Sequence, residues 1–233
     1  MTLTVVSAGL RVPSSTRLLA DQLGEHVSRE LAALHDSAIA IGTRHIEVRD
    51  HAHAIADALL TGFPTGELAA ALSDVAAAQA LIVVTPVFQA SYSGLFKSFV
   101  DLIEPDQLRG MPVLLAATGG TERHSLVIEH ALRPLFAHLG ALPVPTGVYA
   151  ATADFGGEQA PALAARITRA TGELARLAAA APGGSFVGSA PAGAGSAQPD
   201  GDGSPSGPIG FAASDEDLGV TPFAVLLAEA GQA

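Results

Sequence analysis

Three short stretches of the sequence hold side chains able to do chemistry. The first is Ser7-Ala8-Gly9-Leu10-Arg11-Val12-Pro13-Ser14-Ser15-Thr16, with one cation, one glycine and a row of hydroxyls ahead of a leucine-rich run. A helix N-terminus presents unpaired N–H groups and about half a positive charge, which suits a phosphate. Gly9 permits a tight turn, Ser14, Ser15 and Thr16 add hydroxyls, and Arg11 adds a cation. The stretch lacks the Gly-Lys-Ser/Thr ending of a Walker loop and has too few glycines for a dinucleotide fingerprint. A capping role would explain Ser14 alone. It would explain neither Arg11 nor three consecutive hydroxyls, so phosphate is the better reading.

The second stretch is Thr85-Pro86-Val87-Phe88-Gln89-Ala90-Ser91-Tyr92-Ser93-Gly94-Leu95-Phe96-Lys97, rich in small and aromatic residues and free of acids. Such a surface can lie along a flat heterocycle. It can equally be an ordinary turn in which Ser93 caps the next helix, with Lys97 and Asp101 paired on the helix face. The third is Ala117-Thr118-Gly119-Gly120-Thr121-Glu122-Arg123-His124-Ser125, where two glycines let backbone approach a ligand closely. His124 lies either near that ligand or in solvent at a helix start.

Other chemistries are set aside. The chain has no cysteine, which removes disulfides, thiol catalysis and Cys-based zinc sites, and a cytoplasmic address follows. His51-x-His53 lacks a third ligand at sensible spacing, and His130 and His138 read as helix-surface residues, so no metal is expected. Twelve basic against twenty-three acidic residues give −11, which argues against a nucleic-acid partner. The N-terminus reads as a strand with no signal peptide, and the longest apolar run, Val75 to Val84, is too short to span a membrane.

The elements that must position the three stretches alternate along the 233 residues. Strands are predicted at Thr2–Ser7, Arg44–Val48, Leu81–Thr85, Pro112–Thr118 and Thr146–Ala150. Helices are predicted at Ser14–Leu34, Ala52–Leu60, Glu67–Ala78, Ser93–Ile103, His124–Leu139 and Glu158–Ala180. Strands without in/out alternation are buried on both faces, so the fold class is α/β: a doubly wound, five-stranded parallel sheet in the flavodoxin-like order 2-1-3-4-5, with helices on both faces. Ligands of such sheets sit at the carboxyl ends of the strands, where all three stretches fall. This domain takes residues 1–181. Residues 182–210, mostly Gly, Pro, Ser and Ala, read as a flexible linker. Residues 211–233 turn apolar again and are expected either as a mobile tail or docked on the domain or a neighbouring subunit.

The run from Thr85 to Lys97, followed by Ala116-Ala117-Thr118-Gly119-Gly120, resembles the NAD(P)H-dependent FMN reductases of the flavodoxin-like fold. Arg11, Ser14 and Thr16 fall on that family's phosphate-loop pattern. Arg123-His124-Ser125-Leu126 and Ala131-Leu132-Arg133-Pro134-Leu135-Phe136 look like the actinobacterial members that partner luciferase-like monooxygenases. The sequence departs at Phe88-Gln89, where many relatives have Tyr-Asn, and residues 182–210 look like an insertion. The resemblance implies hydride transfer from NADPH or NADH to flavin N5, with no catalytic side chain. It also implies a homodimer or dimer of dimers and delivery of reduced flavin to a two-component monooxygenase. The implied FMN contacts are Ser7, Arg11, Ser14, Ser15 and Thr16 at the phosphate, and Pro86, Val87, Phe88, Gln89, Ser91 and Tyr92 along the ring. Thr118, Gly119 and Gly120 would meet the pyrimidine edge, with His124 nearby. Alternatives are an FMN-retaining quinone, azo or metal-ion reductase, or a flavodoxin-like electron carrier. With Phe88 and Tyr92 as the aromatics of the second stretch ahead of the expected helix Ser93–Ile103 and no tryptophan in the sequence, an open flavin face is favoured over a carrier's sandwiched one.

Overall fold

The structure is a computed structural model that describes residues 1–34, 40–104, 106–155 and 160–180. The expectations for residues 182–210 and 211–233 lie outside the described residues.

The strands are β1 (Thr2–Ser7), β2 (Gly42–Glu47), β3 (Ala80–Phe88), β4 (Ser91–Tyr92), β5 (Pro112–Gly119), β6 (Leu142–Pro143) and β7 (Val148–Ala151). The helices are α1 (Ser15–Leu34), α2 (Ala52–Thr61), α3 (Gly66–Ala76), α4 (Gly94–Val100), α5 (Arg133–His138) and α6 (Ala160–Ala180). The parallel sheet runs β2-β1-β3-β5-β6, with β7 also on β5. The expected α/β flavodoxin-like order is therefore present, with the fifth strand in two pieces.

Burial explains which strands were easy to read. All of β5 up to Thr118 is buried, as is β3 up to Thr85, and their side chains alternate between two cores. Leu81 and Val83 face the core shared with α2–α5; Ile82 and Val84 face the one shared with α1 and α6. Edge strand β2 buries only Ile46 and carries little apolar signal.

Three expected elements differ in form. Strand β3 does not stop at Pro86: Pro86 stays in register with Thr118, and the strand runs on to pair antiparallel with β4. The expected helix His124–Leu139 is instead a 3₁₀ turn (Glu122–His124), a π-helical turn (Ile128–Leu132) and then α5. Pro134 supplies the reason, because its ring has no N–H and clashes with the carbonyl four residues back, that of His130 inside the π turn. The expected strand Thr146–Ala150 begins only at Val148 and is preceded by a separate short piece, β6, which ends at Pro143. Side chains take over the backbone bonds lost there. Arg133 donates to the carbonyls of Val144 and Pro145 at 3.0 Å each, Arg166 donates to that of Gly147 at 2.8 Å, and Glu173 accepts from the N–H and the hydroxyl of Thr146 at 2.8 Å.

Candidate functional site

Register brings the three stretches to one rim. Ser7 ends β1 opposite Val84, and Pro86 on β3 stands opposite Thr118 on β5. Just past β1, the Ala8 N–H donates to the Val84 carbonyl at 2.9 Å, carrying the first loop across the sheet end. Gly9 is buried beneath the start of α1. A Cβ there would collide with Ser14 Oγ and lie 3.1 Å from Ser14 Cβ and 3.2 Å from Thr16 Cβ. Only glycine lets the loop fold this tightly onto the helix start.

Ser14 does cap α1: its Oγ accepts from the Arg17 N–H at 3.2 Å. The first turn of this 20-residue helix contains no acid, so its positive end is uncompensated. Three further hydroxyls, those of Thr16, Thr118 and Ser7, are buried along this rim. Thr16 Oγ1 and Thr118 Oγ1 share a hydrogen bond of 2.7 Å, tying the first stretch to the third. Ser7 Oγ is buried and has no hydrogen-bond partner among the described residues. An orphaned buried hydroxyl costs about 1–3 kcal/mol, which a bound anion or water would offset.

The loop's two arginines differ. Arg17 is engaged by Asp21 and Glu47, and its pKa is raised, chiefly by the hydrogen bond to Asp21. Arg11 is exposed and makes no ion pair among the described residues. Among the described residues Arg11 is therefore a cation free for a ligand in the loop that leads into a helix N-terminus. Ser15 is also exposed.

The second stretch is a hairpin arm. Val87 pairs with Tyr92 and Phe88 with Ser91, so Gln89 and Ala90 form a two-residue turn with φ of 47° and 65°. Such turns favour Asn-Gly, because each non-glycine residue in the left-handed region costs about 1–2 kcal/mol. Strain of this kind gathers at ligand clamps. Phe88 and Gln89 are exposed at the arm's tip, while Pro86 and Ser91 are half-buried. Val87 and Tyr92 lean on the core, the Tyr92 ring tilted against Phe96 with centroids 6.0 Å apart. The arm's base is fixed by the Ser93 N–H, which donates to Thr85 Oγ1 at 3.1 Å. Ser93 caps α4 through the Phe96 N–H, and Lys97 pairs with Asp101, as the plainer reading of this stretch expected.

In the third stretch Gly119 is half-buried, and Gly120 is open, with nothing within 4 Å of where a Cβ would sit. His124 is exposed at the end of the 3₁₀ turn. Neither it nor any other histidine joins a group of three metal-ligating side chains among the described residues. No helix of the described residues is long and apolar enough to cross a membrane.

The family model described as NADPH-dependent FMN reductase matches residues 1–156. The chain belongs to this family. Its FMN reductase relatives include the FMN reductase (NADPH) of Pseudomonas aeruginosa, 43% identical over 150 residues, which are 64% of this chain and 76% of that protein. The NADH-dependent FMN reductase SfnF of Pseudomonas fluorescens is 41% identical over 74% of this chain and 89% of its own. Among solved structures, an oxidoreductase from Corynebacterium diphtheriae is 45% identical with a TM-score of 0.74, covering 78% of this chain and 98% of that one. The apo form of the NADH:FMN oxidoreductase EmoB is 28% identical with a TM-score of 0.64, covering 75% and 88%.

Two rim features of this FMN reductase family member escaped sequence reasoning. One is the Thr85 hydroxyl, which anchors the hairpin base. The other is Tyr149 on β7, whose Oη donates to the Thr121 carbonyl at 2.5 Å. Burial pushes the Tyr149 phenol above its ordinary pKa, with the charge of Asp154 adding to the effect. Their partners lie 8 and 28 residues away, beyond any local pattern.

Proposed function

We propose that the protein oxidises NADPH or NADH with FMN as acceptor and supplies the reduced flavin to a flavin-dependent monooxygenase. The observation that carries the FMN reading is the orphaned Ser7 hydroxyl, buried at the end of β1 where the chain turns toward an uncompensated 20-residue helix, with the uncommitted Arg11 in the connecting loop. This donor set suits a phosphate dianion. Ser7, Arg11, Ser14, Ser15 and Thr16 would hold it, Ser14 through its position at the cap. Pro86, Val87, Phe88, Gln89, Ser91 and Tyr92 would flank the ring from the hairpin arm. Backbone at Thr118, Gly119 and Gly120 would donate to the pyrimidine edge, with His124 close by.

When bound, the flavin supplies the hydride-accepting ring, so the chain needs no nucleophile or general base of its own. Its residues fix the ring's position and face its polar edge with N–H groups, where charge develops on reduction. Leu10, Val12, Phe88 and Leu126 stand exposed in or beside the three stretches. Their exposure supports a homodimer, or a dimer of dimers, in which a second copy helps wall the flavin face. The nicotinamide substrate supports a cytoplasmic location.

Steady-state oxidation of NADPH and NADH against varied FMN tests the reading. Oxidation should rise in proportion to added FMN; a protein that consumes neither nucleotide with FMN present does not have this function. The visible spectrum of protein as purified separates released from resident flavin. The domain proposal, residues 1–181 as the catalytic unit, is tested by removing residues 182–233: FMN affinity should stay unchanged, and its loss without a change of oligomeric state would contradict that boundary.

A further inference from the structure

We propose that Tyr149 is a positioning residue that holds the third loop in its flavin-facing conformation. The proposal rests on the reading that this loop meets the flavin ring. The segment Gly119-Gly120-Thr121 has little means of holding its own shape. Two of its residues have no side chain, Thr121 is exposed, and past Gly119 the strand pairing with Ala151 is over.

Tyr149 fills this gap in two ways. The ring is half-buried and packs on the core, while its head occupies the space a side chain on Gly119 would need. A Cβ on Gly119 would collide with Tyr149 Oη and lie 3.1 Å from Cζ. The absent side chain of Gly119 thus admits the protein's own phenol. From there Oη donates to the Thr121 carbonyl at 2.5 Å, the bond that fastens the far end of the diglycine to β7 among the described residues. Thr152 on the same side reaches the Gly119 carbonyl only at 3.5 Å. Held through its carbonyl at Tyr149, Thr121 anchors the far end of the two glycines and so restrains the direction of the N–H groups they offer to a ring.

The test is Tyr149→Phe in the full chain, which removes one oxygen and keeps the ring packing. Thr121 is exposed, so water replaces the lost donor at its carbonyl and the fold survives. FMN and riboflavin are titrated against wild type and variant, with the absorption spectrum of bound flavin and the melting temperature recorded alongside. Both flavins should lose affinity by the same factor, about three- to ten-fold for one hydrogen bond. The flavin band should shift, and inhibition by inorganic phosphate should stay unchanged. A second variant, Gly119→Ala, displaces the phenol head from the other side and should give an equal or larger loss for both flavins. A Tyr149→Phe protein that binds both flavins like wild type with an unshifted spectrum overturns the proposal, whatever its melting temperature does. Wild type that ignores both flavins overturns it together with the function it rests on. A loss confined to FMN assigns Tyr149 to the phosphate end and equally overturns it.

Discussion

The fold of the first loop rests on one close approach, Gly9 beneath Ser14, and a double-mutant cycle tests it. In Ser14→Ala the Arg17 N–H loses its cap acceptor, a bond of 3.2 Å, at a cost of about 1 kcal/mol. In Gly9→Ala the new Cβ collides with Ser14 Oγ, so the serine must rotate away and the same cap is lost. The neighbouring Thr16 Cβ, at 3.2 Å, must also give by a few tenths of an ångström. Cap loss and overpacking together come to about 2 kcal/mol, after a small gain from the stiffer unfolded chain. The double variant behaves differently. Without Oγ the hard clash is gone and a tight Cβ–Cβ contact of 3.1 Å remains. Its cost should be about 1–1.5 kcal/mol, against about 3 for simple addition, a coupling of about 1.5–2 kcal/mol. Urea unfolding of the four proteins, followed by far-UV circular dichroism at constant m-value, reads this directly. Additivity within about 0.5 kcal/mol would refute the packing of Gly9 under Ser14.

Other outcomes follow from the same geometry. Arg11→Ala should weaken FMN by about 1–3 kcal/mol and leave riboflavin nearly unaffected, since the latter has no phosphate; equal losses in fluorescence titrations would put Arg11 elsewhere. Glu173→Ala strips the partner from both the N–H and the hydroxyl of Thr146 in the broken fifth strand, and should cost about 1–3 kcal/mol in denaturant unfolding. A cost below about 0.5 kcal/mol would mean that water satisfies this break unaided. Burial, with Arg29 adding to it, lowers the His26 pKa below its ordinary 6.5. Between that value and the lower folded one the unfolded chain binds a proton that the folded chain does not, so stability should fall as pH drops through this window. His26→Gln should flatten the fall in melting temperature as pH drops below 6.5, and an unchanged slope would show that His26 does not cause it.

What could be read from sequence divides by the range of the interaction concerned. The buried strands β3 and β5 announce themselves through unbroken apolar runs, and α1 through leucines every three or four residues, because burial acts on each residue separately. The three rim stretches were legible for a similar reason, being glycines and hydroxyls immediately after such strands. Pro134 was visible, yet its effect on the preceding turn needs the hydrogen-bond ladder to be laid out. The split in the fifth strand was not legible, although its second piece overlaps the expected strand Thr146–Ala150. Its backbone is satisfied by Arg133, Arg166 and Glu173, between 11 and 27 residues away, so neither local propensity nor periodicity carries the information.

In the proposed function the rim would join two tasks that pull in different directions. A phosphate site gains from rigid, converging donors, whereas a ring that must also admit a nicotinamide gains from an open face. In the proposed site they would fall on separate elements: the donors for phosphate on the β1–α1 turn, and the exposed tip of the hairpin arm on β3 and β4. What links the first turn to the loop after β5 is the buried 2.7 Å bond between Thr16 and Thr118. Its burial makes it worth keeping, since removing one hydroxyl strands the other at a cost of about 1–3 kcal/mol. Thr16→Val and Thr118→Val should each lose stability, while the double variant, with both hydroxyls replaced by methyls, should recover much of it. FMN affinity separates the two roles: if the bond aligns phosphate and ring subsites, the double variant recovers stability but not FMN binding. Full recovery of both would reduce the pair to core packing.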